Sequence, residues 1–198
     1  MFPWLLAALT LGLVALTTPA LGSHLFDVFD DRPNPAWDRW INPVETTLLR
    51  WIGETGRSAE SVAAYLQPLL LSNLFCGMVA LALLLAQPGW LNPRGFSGLR
   101  WDLALHTTIS FLTNTDQQHL IPEQSLGNLA QLGAMQFLMF VSAASGLAVG
   151  FAVIRGFSGR AIGNFYRDLL RSLTRVLIPA AVLLALFFLV SGVPMTLA

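Results

Sequence analysis

The sequence contains no lysine, one cysteine and few charges: Asp, Glu, Lys and Arg make up 11% of its 198 residues. A soluble domain carries about 25%. With 55% of the residues hydrophobic, that scarcity excludes an ordinary soluble domain and points to a polytopic membrane protein. The eleven basic residues, all Arg, balance eleven acidic ones, so there is no excess charge to draw in a nucleic acid. A lone cysteine excludes an intramolecular disulfide. Cys76 stands in an apolar run and reads as a small buried hydrophobe. There is no Gly-x-x-x-x-Gly-Lys nucleotide loop and no His-Glu-x-x-His metal motif, so nucleotide chemistry is absent from this sequence.

What is there is a series of long uncharged runs. The first spans residues 2–26 and predicts a membrane span over about residues 2–21. Its Met-Phe-Pro-Trp start lacks the basic region of a cleaved secretory signal, so a retained span is expected. Residues 23–60 hold most of the acids, interleaved with Arg32, Arg39, Arg50 and Arg57. Within them Asn42-Pro43-Val44-Glu45 predicts a helix start, with Asn as N-cap and Pro in the first turn. Val44, Leu48, Trp51 and Ile52 then share one face and Gly53 ends the helix. That pattern fits an amphipathic helix lying at the membrane interface, or equally a solvated loop helix. Residues 61–93 are uncharged and predict a second span over 62–85, with Pro68 near its start. A third span is predicted over 129–154 and a fourth over 176–190. Ser142, Gly146 and Gly150 recur every four residues in the third, a spacing at which helix backbones approach closely in lipid.

Residues 101–118, WDLALHTTISFLTNTDQQ, fit none of these spans. A crossing helix needs about 20 apolar residues, and runs of about 10–14 belong to buried or re-entrant segments. The apolar pattern stops at Thr113-Asn114-Thr115-Asp116, a run of short oxygen-bearing side chains. Asp102 stands where an N-cap would. A helix that stops partway leaves its last carbonyls unpaired, at the negative end of its dipole. Irregular backbone at that depth is tolerated only inside protein or along a watery cavity, and loop carbonyls build potassium filters. The spacing therefore predicts a pore helix over about 102–112 and a cation-facing filter loop of Thr113, Asn114, Thr115 and Asp116. An amphipathic segment lying on the membrane surface is the alternative.

Topology follows by parity. If 102–118 enters and leaves on one side, segments 23–60 and 155–175 share the opposite side. Together they hold Arg32, Arg39, Arg50, Arg57, Arg155, Arg160, Arg167, Arg171 and Arg175, against Arg94 and Arg100 in the connector 86–128. The positive-inside rule makes the Arg-rich side cytoplasmic. A full crossing by 102–118 would divide the arginines almost evenly, so the bias favours re-entry. The expected fold is an all-α polytopic membrane protein of about four transmembrane helices plus one re-entrant pore helix and filter loop. The expected divisions are 1–60 (first span and cytoplasmic amphipathic loop), 61–155 (span, pore loop, span) and 156–198 (Arg-rich cytoplasmic loop and fourth span). One such unit cannot surround an ion; about four are needed.

Trp101-Asp102-Leu103-Ala104-Leu105, followed by Ser110-Phe111-Leu112-Thr113-Asn114-Thr115, resembles the first pore loop of the KdpA family. These are potassium-translocating subunits of bacterial Kdp potassium-transporting ATPases. Leu91-Asn92-Pro93, Ser142-Ala143-Ala144-Ser145-Gly146, Ile154-Arg155-Gly156-Phe157 and Asp168-Leu169-Leu170-Arg171 resemble further family motifs in the same order. The resemblance covers the whole chain and about the first third of a family member, so an N-terminal portion of such a subunit is expected.

The resemblance implies a four-repeat pore in which Thr113, Asn114 and Thr115 belong to the first quarter of a potassium filter. It implies potassium as the transported ion, no organic cofactor, and a multi-pass location in the bacterial plasma (inner) membrane. The implied partners are a P-type ATPase subunit that hydrolyses ATP, a periplasm-facing accessory subunit and a small single-span peptide. Three sites depart from the family pattern. Asp116-Gln117-Gln118 replaces Asn-Trp-Gln, His106 replaces an Asn, and Leu138-Met139-Phe140 replaces Gln-Asn-Phe. Asp116 adds a negative charge that would attract cations without choosing among them. Two other readings stay open: a non-conducting structural membrane subunit, and an intramembrane enzyme or metal site built from His106, Asp116 and His119.

Overall fold

The computed structural model describes residues 3–30, 35–54, 61–87 and 89–193, and every regular element among them is helical. The expected start of the first span at Phe2, the positions Asp31, Arg32, Pro33, Arg57, Glu60 and Pro88, and the tail 194–198 lie outside the described residues. The chain divides into two compact units, residues 1–44 and 45–198.

The first unit contains helix α1, Pro3–Phe29. Its apolar window is entirely exposed. At about 1.5 Å per residue its 27 residues reach about 40 Å, more than the hydrocarbon thickness of a bilayer. The helix runs past the expected end at Leu21 because nothing after Gly22 breaks it. Its hydroxyls are satisfied within the helix: Thr10, Thr17 and Thr18 donate to carbonyls four residues back at 2.7–2.9 Å. Such bonds let polar side chains sit in an apolar helix.

Helix α2, Pro35–Ile52, starts earlier than predicted. Pro35, not Pro43, takes the first-turn position that suits a residue without an N–H. Pro43 lies inside the helix, so Asn42 is no N-cap. Gly53, at φ 80°, ends it as expected. Trp40, Val44, Trp51 and Ile52 are exposed while Glu45 is buried.

The second unit is built on three long helices. Helix α3 is Val62–Ala86, helix α5 is Asn128–Phe157 and helix α6 is Phe165–Val190. The shorter helix α4, Trp101–Leu112, lies against α3 and α5. With α1, the long helices are, among the described residues, the four that are long and apolar enough to cross a membrane. Ser61 caps α3, accepting from Ala64 N at 3.2 Å.

Two buried clusters hold the unit together. One joins Ala80 and Leu84 of α3, Ala104 and Phe111 of α4, and Ala130, Ala134 and Leu138 of α5. Cys76 is half-buried at its edge. The other joins Tyr65 of α3, Ala148 and Ala152 of α5 and Phe165 of α6. Alanine at the crossings lets the backbones come close. The packing face of α5 is therefore Ala144, Ala148 and Ala152, all buried. Of the stripe Ser142, Gly146 and Gly150, Ser142 is buried in the packing as expected, whereas nothing lies within 4 Å of a Cβ added at Gly146 or Gly150.

The last helix begins at Phe165, well before the expected Val176. Asn164 caps it, accepting from Arg167 N at 3.1 Å. The Arg-rich stretch is helical because its charges are neutralised in place. Arg155 donates to Asp168 at 2.7 and 3.2 Å. Arg175 grips Glu45 with two bonds of 2.9 and 2.8 Å, and Thr174 adds a third at 2.6 Å. Paired and hydrogen-bonded, these groups tolerate burial that single charges would not.

Candidate filter-loop site

Helix α4 is too short to cross a bilayer, and its placement follows from its two faces. Ala104 and Phe111 face the core, and Thr107, Thr108 and Ser110 are buried with them. Gly77 of α3 admits the end of α4: a Cβ there would stand 3.1 Å from Leu112 Cδ2 and 3.7 Å from Thr108 Cγ2. The connector before α4 is held by side-chain amides. Gln87 donates to Ser97 O at 2.9 Å and Ser125 O at 2.8 Å, and accepts from Gly127 N at 2.8 Å. Asn92 of the Leu-Asn-Pro motif donates to Phe96 O at 2.7 Å and accepts from Phe96 N at 3.0 Å. Asp102 is not the N-cap. Arg100 holds that position, and its guanidinium grips the Asp102 carboxylate, Nε to Oδ1 at 2.6 Å. That contact holds the carboxyl down at about 2, so it stays ionised through the neutral and mildly acidic range.

The four predicted filter residues follow α4 directly, and Thr113 to Gln118 are all exposed. Asn114 and Asp116 adopt left-handed backbone, φ 57° and 53°. Asn and Asp are the side chains that tolerate it best after glycine. The amides turn inward: Thr115 N and Asp116 N donate to Ser110 O at 2.9 and 3.2 Å, and Gln117 N donates to Ser110 Oγ at 2.7 Å. Thr113 N donates to Ile109 O at 3.0 Å and Asn114 N to Phe111 O at 3.4 Å. The carbonyls of Ile109, Ser110 and Phe111 are thus taken by the loop. This corrects the expectation that they stand unpaired toward a cation; the available oxygens belong to the loop itself.

Those oxygens are ordered by local bonds. Thr113 Oγ1 donates to Ile109 O at 2.9 Å and lies 3.0 Å from Thr115 Oγ1. With its only proton committed, Thr113 accepts from Thr115, whose lone pairs remain open. Asn114 Oδ1 accepts from Ser142 Oγ at 3.3 Å, which ties the loop to α5. Sequence reasoning missed Ser110 as the hub, because a serine inside an apolar helix gives no sign that it will receive three amides. Of the rival trio, His106 and His119 come together, with ring centres 4.6 Å apart. Asp116 does not complete it: among the described residues no three His, Cys, Asp or Glu side chains converge on a metal position.

Ser110→Ala tests the hub. It removes the acceptor of Gln117 N and leaves a donor unpaired, a loss of about 1–3 kcal/mol. The measurement is thermal unfolding in detergent. An unchanged midpoint would show that Ser110 does not hold the loop.

Fold and site together define a class: multi-pass, all-helical membrane proteins that set a non-spanning helix and a polar loop between two spans. Within that class the family KdpA, Potassium-transporting ATPase A subunit, matches residues 8–198, and the chain belongs to it. Proteins named potassium-transporting ATPase potassium-binding subunit are similar along nearly the whole chain. That of Synechocystis sp. is 44% identical over 193 residues, 96% of this chain and 34% of the relative. That of Gloeobacter violaceus is 44% identical over 190 residues, 95% and 33%. That of Edwardsiella ictaluri is 42% identical over 195 residues, 96% and 33%. The chain spans about a third of the length of the curated relatives it matches.

Proposed function

We propose that this chain supplies the first of four pore-loop units lining a potassium path, in an ATP-driven uptake complex of the bacterial plasma (inner) membrane. Thr113, Asn114 and Thr115 present carbonyl and hydroxyl oxygens to a partly dehydrated potassium ion, and Asp116 sets the field at the mouth. The observation that carries this reading is the loop geometry. Its amides are drawn back onto Ser110 while its exposed side bears oxygen. An exposed loop on a chain that spans about a third of its relatives' length fits one quarter of a filter. The relatives named as potassium-binding subunits support the choice of ion.

In this reading residues 61–155 form the first repeat, α2 lies at the cytoplasmic surface within 1–60, and residues 156–198 lead into the next repeat. ATP hydrolysis belongs to a P-type ATPase partner. A periplasm-facing accessory subunit and a small single-span subunit complete the assembly.

The test is growth at micromolar potassium in a strain without its own high-affinity uptake. The chain is placed at the head of a family-length subunit and co-expressed with the partner subunits. Rescue is expected, and Asn114→Ala is expected to cut uptake at least tenfold. Alanine there must adopt left-handed backbone, at about 1 kcal/mol or more, and loses the Ser142 tie. Asn114→Gly separates the two effects, since it relieves only the backbone strain. An inserted and assembled chimaera that fails to rescue would leave a non-conducting structural subunit as the better reading.

A further inference from the structure

We propose that His106 and His119 form a two-imidazole site for a divalent transition-metal ion of the nitrogen-preferring class, Ni²⁺, Cu²⁺ or Zn²⁺. The two rings lie 4.6 Å apart and are tilted by 45°, so they are not stacked flat. His106 Nε2 is buried and has no hydrogen-bond partner. A buried ring nitrogen without a partner is costly, and a metal ion is one of the few groups that would satisfy it beside a second imidazole. In a tetrahedral site with metal–nitrogen distances of about 2.1 Å, two ligating ring centres stand roughly 5 Å apart. The observed separation needs only a small opening. His119 is exposed and supplies the movable half.

A cleft of about 440 Å³ gives access and is lined by both histidines, Leu103, Arg100 and Asp102. Asp102 precedes His106 by four residues on one helix, which places both on the same face. Its carboxylate is engaged by Arg100. Water therefore completes the coordination, or Asp102 does once Arg100 releases it. Two imidazoles with water make an exchangeable site rather than a permanent structural one.

The site has a mechanical consequence. His106 lies on α4 and His119 just beyond the loop, so a bound ion closes a ring around residues 107–118. It clamps the segment that carries Thr113 to Asp116 against its own helix. The binding claim stands without the potassium reading, whereas any effect of the ion on uptake rests on it.

The test uses the 198-residue chain in lipid nanodiscs, purified without a polyhistidine tag, with Ni²⁺ titrated by calorimetry. His24 is the only other histidine, which makes the variants clean. About one Ni²⁺ per chain is expected. His119→Gln and His106→Asn should each weaken binding tenfold or more, and His24→Ala should leave it unchanged. His119 is exposed, so His119→Gln carries the test even if His106→Asn fails to fold. No saturable binding to the parent chain would overturn the proposal, as would binding that persists in the double variant. The calorimetric readout does not depend on potassium transport, so failure here and failure of the filter reading are separate results.

Discussion

Asp168→Ala is expected to destabilise the membrane-inserted chain by about 3–5 kcal/mol, the range for breaking a buried ion pair by removing one partner. Asp168 is 1% exposed. One carboxylate oxygen receives Arg155 Nη1 at 2.7 Å and Tyr65 Oη at 3.1 Å, and the other receives Arg155 Nη2 at 3.2 Å. Those contacts join α3, α5 and α6. Arg155 also donates to Ile162 O at 3.0 Å, a bond that brings no compensating charge. Asp168→Asn keeps an acceptor in place and should lose less. Arg155→Met combined with Asp168→Leu should recover most of the stability, because well-packed apolar side chains can replace a buried ion pair at little cost. Thermal unfolding in detergent reads all three. A melting temperature unchanged in Asp168→Ala would show that the cluster does not hold these helices together.

The second ion pair acts differently. Glu45 stands 130 positions before Arg175, so it ties the second half of the amphipathic α2 to α6 about three turns from its start. Both side chains are 9% exposed. A guanidinium gripped by two bonds has little freedom to swing. The long helix is therefore held at a fixed point on α2, while α4 and its loop rest on α3 and α5. The loop after α4 thus rests on a cluster built around Ala80, Ala104, Ala130 and Ala134.

This division also explains what the sequence revealed. The limits of α3 and α4 were legible to within about a residue because polar residues bracket them: Ser61 and Gln87 on α3, Arg100 and Thr113 on α4. The loop's position was legible because four short polar side chains interrupt an apolar run. The start of α6 was not, since its arginines read as a loop until partners far away in sequence neutralise them. The packing face of α5 was misread because glycine and alanine both permit close approach, and only the neighbouring helices decide which is used. The His106–His119 contact lay outside any local motif. It arises because the loop doubles back along α4, a geometry set by Ser110 and by left-handed backbone at Asn114 and Asp116.

Gly98→Ala should produce the other large effect, a loss of about 3 kcal/mol, at the upper end of overpacking penalties. Gly98 lies in the extended segment that crosses the C-terminal end of α3, where Leu99 N donates to Leu84 O at 3.0 Å. A Cβ at Gly98 would stand 1.7 Å from Leu85 O and 2.7 Å from Leu85 C. Both are backbone atoms, so no rotamer change relieves the clash. The strand must lift off α3, and the Leu99 bond is the first to go. Arg100 and Trp101 follow two and three residues later, so the displacement passes into the start of α4 and tilts the helix that carries the Thr113–Asp116 loop. Gly95→Ala is the control. It has φ +67° but nothing within 4 Å of an added Cβ, so it should cost only the backbone strain of about 1 kcal/mol. In the family-length chimaera, Gly98→Ala should therefore reduce both thermal stability and potassium uptake, and Gly95→Ala should change stability slightly and uptake little. Equal effects from the two would mean that the connector tolerates displacement and that α4 is positioned by its own contacts with Gly77 and the alanines of α5.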